Sequence, residues 1–257
     1  MKKVLLVLIL ALALFLRTYK LSTFPAGLNA DEAALGYNAY SLMLTGKDEH
    51  GNAWPINLES FGDYKPALYS YVLIPFIKVL GLTELAVRLP AAIFGVMAVG
   101  LIYWLVGDIL SQKYALMAAV LLAISPWHIH FSRGGWEVSL ATTLILSGVW
   151  LFIRWIKNKS FIQLAISITC LVMAMYAYQS ARVIAPALGL GFVFMYGKDF
   201  VKFSKQSVMA GLLLMILLLP LGVSVIRTDA SSRLSGVGLL ADEGPLNRAK
   251  ELRGQHS

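Results

Sequence analysis

Two adjacent acidic residues, Asp31 and Glu32, follow the first apolar segment of a chain that is 58% hydrophobic. A carboxylate held at a membrane surface can take a proton from a reacting group or bind a cation. Asn29 precedes Glu32 by three residues, which is the spacing of a capping box, and Gly46 supplies a helix stop. Apolar and aromatic residues recur between them at helical spacing: Ala33, Tyr37, Tyr40 and Leu44. The pattern predicts a helix at an interface with two acids at its N-terminal tip, although such acids also simply complement the helix dipole.

The composition places the chain among polytopic all-α membrane proteins. Its mean hydropathy is +0.70 and only 14% of its 257 residues are charged. Repeated apolar runs of this kind are typical of helices that satisfy their backbone hydrogen bonds inside lipid. The single cysteine, Cys170, excludes an internal disulfide and is expected to serve packing. The net charge of +8 does not indicate nucleic-acid binding, because the sequence has no basic helix, aromatic RNA platform or zinc motif.

Seven apolar segments are predicted as membrane spans. Lys2 and Lys3 precede the first of them, which we interpret as a signal anchor with its N-terminus in the cytoplasm. The predicted spans are 4–16, 89–107, 114–125, 138–155, 161–177, 183–196 and 208–226. Pro220 is expected to kink the last span.

An eighth apolar stretch, 66–82, decides the topology, because crossing the membrane there would move every later loop to the other side. Basic residues in short loops favour the cytoplasm. Keeping 66–82 on the outer face gives the cytoplasm nearly all of them: Lys2, Lys3, Lys113, Arg154, Lys157, Lys159, Lys198, Lys202 and Lys205. Pro75 and Lys78 lie within the stretch, which suits an interfacial helix. We therefore expect a long extracytoplasmic first loop, 18–88, that carries interfacial helices.

This topology gathers the informative polar residues on the outer face. They are Asp31, Glu32, Asp48, Glu49, His50, Asp63, Lys65, His128, His130, Arg133, Glu137, Gln179 and Arg182. The chain divides into a transmembrane domain, 1–226, and a polar extracytoplasmic tail, 227–257. The tail lacks a core pattern, so we expect it to be truncated or disordered.

Several sequence elements occur in an order that resembles one family. They are Asp31-Glu32-Ala33 with Gly36-Tyr37, Gly62-Asp63-Tyr64-Lys65-Pro66, Arg88-Leu89-Pro90, Ser125-Pro126 with Ser132-Arg133 and Glu137, and Tyr176-Ala177-Tyr178 with Arg182. In order and context they resemble the N-terminal half of the GT-C glycosyltransferases, in the branch that holds protein mannosyltransferases and aminoarabinose transferases. The resemblance covers residues 1–226 and implies an integral protein of a bacterial or archaeal plasma membrane.

The resemblance implies an inverting sugar transfer at the outer face, from a polyprenyl-phosphate donor to a hydroxyl or amine of a lipid, glycan or protein. It implies a role for an Asp of the first outer loop, matched by Asp31, and for a Lys before Pro, matched by Lys65. A hydroxyl attacks well only when a carboxylate takes its proton, and the departing phosphate gains charge that a cation stabilises. Asp31 is therefore predicted as the base, and Lys65 and Arg133 as phosphate contacts.

The remaining substrate contacts are expected from Glu32, Asp63, Tyr69, Glu137 and Arg182, with the polyprenyl chain lying near Tyr69 and Tyr71. Because base and phosphate clamp must flank one sugar, Asp31 and Lys65 should face one outward cleft at about 5 to 12 Å from each other. A divalent cation held by Asp31, Glu32 and Asp63 is a further prediction.

Each assignment has a structural alternative. Lys65 could simply snorkel at an interface, and Arg133 and Glu137, four residues apart, could pair with each other. Arg182 could be an ordinary anchor of the aromatic belt. The histidines His128 and His130 share a face only on a strand, so we expect satisfied interface residues and not a metal pair.

Two other classes of function compete with transfer. An outward polar cavity also suits a lipid-sugar flippase or small-molecule transporter, although transporters place ionisable sites near the midplane and show internal repeats, which this sequence lacks. A non-catalytic membrane partner would not need acids clustered outside. Because the family continues beyond the part that 1–226 resembles, the chain is expected to be a fragment or a short relative that keeps the donor-facing half.

Overall fold

The computed structural model describes residues 2–60 and 63–227. Ten helices and one hairpin follow one another in this part of the chain. They are α1 Lys2–Thr18, α2 Ala30–Thr45, β1 Asn57–Ser60, β2 Asp63–Pro66, α3 Leu68–Leu80, α4 Glu84–Ile109, α5 Gln112–Ile124, α6 Pro126–Arg133, α7 Glu137–Asn158, α8 Phe161–Ala177, α9 Ala181–Lys202 and α10 Ser204–Arg227. The predicted polar tail lies outside the described residues, apart from the last residue of α10.

A helix occupies each predicted span, but fewer helices pass a test of length and hydropathy. Within the described ranges, α4, α7, α9 and α10 are each long and apolar enough to cross a membrane. The helices α5 and α6 would make a fifth span if taken together, and they are bent by 56° at Ser125–Pro126, where proline lacks an N–H. The structure thus confirms a helical polytopic protein with four or five candidate spans.

The helix α2 begins and ends as the sequence predicts. The Glu32 N–H donates to Asn29 Oδ1 over 2.8 Å, and the Asn29 N–H donates to Glu32 Oε2 over 3.0 Å, which completes the capping box. Gly46 ends the helix in the left-handed region, at a φ of 69°. The predicted stripe of Ala33, Tyr37, Tyr40 and Leu44 is exposed, whereas Leu35, Ala39 and Leu42 are buried.

A two-stranded hairpin, which the sequence did not predict, follows α2. β1 and β2 pair antiparallel, with Leu58 opposite Lys65. Each strand has four residues, too few for the alternating pattern that identifies longer strands. The helix α3 comes next, packs against α2 and α4, and has 13 residues, whereas a span needs about 20. That 66–82 stays on the outer face remains a prediction.

Burial divides the long helices into two groups. The most apolar window of α4 is 56% buried and that of α7 is 39% buried, whereas the values for α9 and α10 are 6% and 11%. Close packing holds the first group: a Cβ added at Gly148 of α7 would lie 2.7 Å from Leu171 of α8. The tightly packed helices α2, α3, α4 and α7 surround one apolar core. This core holds together the helices that carry Asp31, Arg88 and Glu137.

Candidate active site

Asp31 and Lys65 meet at the tip of α2, 34 positions apart in the sequence. The Lys65 Nζ donates directly to Asp31 Oδ1, so the two side chains form an ion pair. The Asp31 side chain is 53% exposed and that of Lys65 only 12% exposed. The two side chains converge on one cleft, as predicted, and its outward orientation stays a prediction. The predicted separation of about 5 to 12 Å is wrong, because the two opposite charges pair directly.

A cavity of about 350 Å³ opens beside this ion pair. Small-molecule sites usually enclose about 300 to 1,000 Å³, so the cavity lies at the lower end of that range. Its lining combines charged, aromatic and amide side chains: Asn29, Asp31, Lys65, Pro66, Phe131, Trp136, Glu137, Val138, Tyr178 and Gln179. Three of the predicted site residues, Asp31, Lys65 and Glu137, therefore line one cavity. Glu137 belongs to the first turn of α7 and is buried.

Two glycines carry the chain from α6 into this wall. A Cβ added at Gly135 would lie 2.6 Å from a methyl of Val87 and 3.0 Å from the Val87 carbonyl oxygen. A Cβ at Gly134 would lie 2.8 Å from the Trp136 ring. Gly135 thus allows a close approach to α4, and Gly134 leaves room for the Trp136 ring. This path of the chain places Trp136 and Glu137 at the cavity.

Glu32, the neighbour of Asp31, turns away from the cavity and into the protein. Its side chain is 2% exposed, and its Oε1 accepts from Arg88 Nε over 2.8 Å, while Arg88 itself is fully buried. The Gly135 N–H also donates to Oε1 over 2.8 Å, and Arg88 Nη2 donates to Oε2 over 3.2 Å. Glu32 therefore joins α2, α4 and the α6–α7 connection, and the expectation that it contacts substrate is corrected.

The surroundings of Glu32 favour its charged form. Burial alone would raise the pKa of this carboxyl group. Hydrogen bonds from Arg88 and from the N–H groups of Asn29 and Gly135, together with the charge of Arg88, outweigh burial and lower the pKa below its ordinary value. The pair is thus charged and fully hydrogen-bonded, and it connects the start of α2 to the first turns of α4.

Arg133 lies away from the cavity lining. Its Nη1 donates to the Leu16 carbonyl, and its Nη2 donates to the carbonyls of Tyr19 and Phe24, each over 2.9 Å. Both terminal nitrogens are therefore directed to the end of α1 and the segment that follows it. The predicted phosphate contact is corrected to a structural one, and the alternative pairing with Glu137 does not describe these bonds either.

Tyr69 and Arg182 are also structural in this arrangement. Tyr69 is fully buried in the apolar core and its hydroxyl donates to the Val87 carbonyl over 3.0 Å, because the ring points inward from α3. Arg182 donates to the Asn57 side chain and so ties the start of α9 to β1. Neither lines the cavity, so their predicted substrate contacts are corrected.

The remaining predictions concern a metal and the histidines. Across residues 2–60 and 63–227, no cluster of three or more histidine, cysteine or acidic side chains could hold a metal ion. Glu32 is committed to Arg88, and the side chain of Asp63 lies outside the described ones, so the cation stays a prediction. The ring of His128 accepts from Arg17 Nη2 over 2.8 Å, as expected for a satisfied histidine.

A family model described as dolichyl-phosphate-mannose-protein mannosyltransferase matches residues 64–223, which is more than half of the chain. The chain belongs to this family of GT-C glycosyltransferases. The matched region includes Lys65, Arg88 and Glu137, but it begins after Asp31. A comparison with curated protein sequences finds no match.

Solved structures share the GT-C fold. ArnT from Cupriavidus metallidurans bound to undecaprenyl phosphate is 14% identical, with a TM-score of 0.66 over 87% of this chain and 42% of ArnT. The apo state of the same protein gives a TM-score of 0.63 at 14% identity over the same shares. The apo oligosaccharyltransferase of Archaeoglobus fulgidus is 15% identical, with a TM-score of 0.60 over 85% of this chain and 29% of that protein. The chain therefore spans less than half the length of these proteins.

Sequence reasoning missed the aromatic and amide part of this GT-C cavity. Gln179 was placed on the outer face without a role, and Phe131 and Trp136 were not considered. The usable signal was the pair Gly134-Gly135 directly before an aromatic residue at the start of a helix, because adjacent glycines mark a close backbone approach. Nothing in the spacing of Tyr178 and Gln179 indicates that α8 ends at the same cavity.

Proposed function

We propose that this chain transfers a sugar from a polyprenyl-phosphate donor to an acceptor hydroxyl or amine at the extracytoplasmic face of the membrane. One observation carries the proposal: in a member of a GT-C family, a carboxylate and an ammonium group converge at a single cavity beside a second carboxylate, Glu137. This is the set of groups that an inverting transfer from a lipid phosphate requires. The ArnT structure with bound undecaprenyl phosphate supports a lipid phosphate of this class as the partner.

In the proposed reaction, Asp31 accepts the proton of the acceptor as its oxygen or nitrogen bonds to the anomeric carbon. The bond from that carbon to the phosphate oxygen breaks, and its electron pair leaves with the phosphate. Lys65 stabilises the charge that develops there. Glu137 is suited to accept a hydrogen bond from a sugar hydroxyl.

The ion pair between Asp31 and Lys65 gives the proposed reaction an order. While Lys65 donates to Asp31, its ammonium group occupies a carboxylate oxygen that would otherwise face the acceptor. A phosphate that enters the cavity offers Lys65 a second anion and draws the ammonium group away. Asp31 then becomes free to accept a proton only when a donor is present, which limits wasteful reaction with water.

The proposal includes the predicted topology of seven spans, with 66–82 on the outer face. The ion pairs at the far ends of the helices support it: Asp108 at the end of α4 pairs with Arg154 and Lys157 near the end of α7. Asp108 lies at the end of α4 opposite Arg88. Arg154 and Lys157 lie near the end of α7 opposite Glu137. If the basic end faces the cytoplasm, the cavity faces the outside of a bacterial or archaeal plasma membrane.

The reaction is tested with Asp31→Asn in membranes or detergent. Transfer or slow release of sugar from a radiolabelled polyprenyl-phosphate donor should fall by about 10²- to 10⁴-fold, because a positioned base contributes that much. Binding of the donor should be retained. A wild-type chain that binds no lipid phosphate and releases no sugar, or an Asp31→Asn variant with full rate, contradicts the proposal.

The topology is tested with fusions to a reporter that needs an oxidising outer compartment. The reporter should be active after Lys65 or Arg133 and silent after Lys157, since the first two positions are predicted outside and the third in the cytoplasm. Activity after Lys157 would show that 66–82 crosses the membrane, and Lys65 and Glu137 could not then share a cavity on one side.

A further inference from the structure

We infer that Gln179 recognises, through a hydrogen bond, a hydroxyl or amino group of the sugar bound in the cavity. The inference deepens the proposed function and rests on it. Gln179 follows the end of α8, and its backbone is fixed by a turn, in which the Arg182 N–H donates to the Gln179 carbonyl over 3.0 Å. Its side chain lines the cavity that holds Asp31 and Lys65.

The Oε1 atom of Gln179 is shut off from solvent and has no hydrogen-bond partner within the described part of the chain. Only one other side-chain atom shares this state there, Arg17 Nε, whose guanidinium is otherwise fully engaged with carbonyls and His128. Buried acceptors without a partner are rare in folded proteins, since the loss of water is not compensated. Because the Gln179 side chain lines the cavity, a rotation of its carboxamide brings Oε1 to the cavity, where a ligand that donates a hydrogen bond compensates this loss.

The neighbours of Gln179 define the chemistry of that ligand. Phe131, Trp136 and Tyr178 line the same cavity, so a carboxamide stands among three aromatic rings. A pyranose ring offers apolar C–H faces to aromatic rings and hydroxyl groups at its edge to amides. The cation Lys65 suits a phosphate, whereas the uncharged Gln179 suits a neutral hydroxyl or an amine. The cavity thus separates recognition of the phosphate from recognition of the sugar.

The inference is tested by binding to lipids that differ only in the sugar. The purified chain is titrated with sugar-free undecaprenyl phosphate and with its mannosyl, glucosyl and 4-amino-4-deoxyarabinosyl derivatives. The wild type should bind one of the three sugar lipids more tightly than the sugar-free lipid. Gln179→Leu should weaken binding of that sugar lipid by about 5- to 30-fold, the range for loss of one or two hydrogen bonds, and leave the sugar-free lipid within about twofold.

Gln163→Leu is the matched control, because Gln163 lies at the other end of α8, where it accepts from Asn158 over 3.3 Å. It should change neither affinity. Gln179→Asn keeps a shortened carboxamide and should give a smaller loss, limited to the sugar lipid.

The outcomes separate this inference from the proposed function. If the wild type binds none of the four lipids, the proposed function fails and the inference fails with it. If the wild type binds lipid phosphate without preferring any sugar, or if Gln179→Leu keeps the preference, only the inference is overturned. Equal loss of both lipid classes in the Leu and Asn variants would also overturn it, since Gln179 would then have a purely structural role.

Discussion

Two adjacent carboxylates form two different ion pairs. One pair lies at the proposed reaction site, and the other holds parts of the fold together. Asp31 pairs with Lys65 at the open cavity, half exposed to solvent. Glu32 pairs with Arg88 inside the protein, where both side chains are buried. The exposed pair can be opened by a ligand, because a phosphate can replace Asp31 as the partner of Lys65 and water can solvate the released carboxylate. The buried pair cannot be opened without leaving a charge in the interior.

The buried pair also forms hydrogen bonds to the backbone of neighbouring segments. Arg88 donates to the carbonyls of Leu21 and Pro25 over 3.3 and 2.7 Å and to that of Gly27. Glu32 in turn holds the N–H of Gly135, next to the cavity wall. We therefore expect substitutions at the two pairs to differ in kind: one set should lower stability and the other only function.

The largest effect is expected from Arg88→Ala. The change leaves Glu32 buried without its cation, and removal of one partner of a buried pair costs about 3 to 5 kcal/mol of unfolding free energy. Thermal unfolding in detergent measures it. Arg154→Ala is the control, because Arg154 pairs with Asp108 while 41% exposed, and it should cost less than about 1 kcal/mol. Equal stability of the two variants would abolish the distinction between the pairs. The double variant Arg88→Met with Glu32→Leu should be more stable than Arg88→Ala.

A smaller effect is expected from Gly135→Ala. The added Cβ meets the backbone of Val87, which cannot move as a flexible side chain can, so overpacking should cost about 1 to 3 kcal/mol. Gly189→Ala in α9 is the control, since nothing lies within 4 Å of its added Cβ. It should be neutral or slightly stabilising, because alanine favours helix over glycine. Unchanged thermal unfolding of Gly135→Ala would show that the connection between α6 and α7 is not held against α4.

Lys65→Gln should act on binding and not on stability. Loss of a charge-assisted hydrogen bond to phosphate, about 1.5 to 3 kcal/mol, weakens binding of undecaprenyl phosphate by about 10- to 100-fold. The unfolding temperature should stay close to wild type, since the lost pair is partly exposed. Lys159→Gln provides the control, because Lys159 pairs with Asp199 at the other end of the molecule. A loss of stability in Lys65→Gln as large as in Arg88→Ala would make the two pairs alike.

The smallest effect concerns pH. The folded protein lowers the pKa of Glu32, so the folded state binds this proton less readily than the unfolded chain does. The stability from this group is therefore complete above the ordinary pKa of 4.5 and is lost as the pH falls below that value. Unfolding temperatures between neutral pH and pH 3 should decline less steeply in Glu32→Gln than in wild type. Parallel declines would show that the charge of Glu32 contributes nothing.

Local rules predicted α2 well and the roles of its first residues poorly. The start of the helix follows from Asn29 and Glu32 alone, because a capping box involves only neighbours. Successive helical residues point about 100° apart, and here Asp31 faces the cavity whereas Glu32 faces the protein interior. The capping bond turns Glu32 inward, and that consequence could have been drawn from the sequence.

The long-range contacts could be predicted only in part. The resemblance to the GT-C family and the chemistry of sugar transfer together predict that Asp31 and Lys65 converge, since a base and a phosphate clamp must serve one substrate. Tyr69 and Arg133 were placed at the substrate by their residue type, whereas their hydrogen bonds depend on which way α3 and α6 rotate. The rotation of each helix about its axis is set by packing against other helices, so local sequence patterns do not predict it.

Guanidinium groups take the place of water for several main-chain oxygens at the end of α1 and in the segment between α1 and α2. Arg88 and Arg133 together accommodate six of them, those of Leu16, Tyr19, Leu21, Phe24, Pro25 and Gly27. A peptide oxygen that enters hydrocarbon without a partner costs several kcal/mol, about 2 to 7 by transfer measurements. These bonds satisfy part of the backbone of this non-helical stretch, and its exposed Tyr19 and Phe24 can rest against acyl chains. A lipid-borne substrate could then approach the cavity sideways, by two-dimensional diffusion within the bilayer, without first entering water.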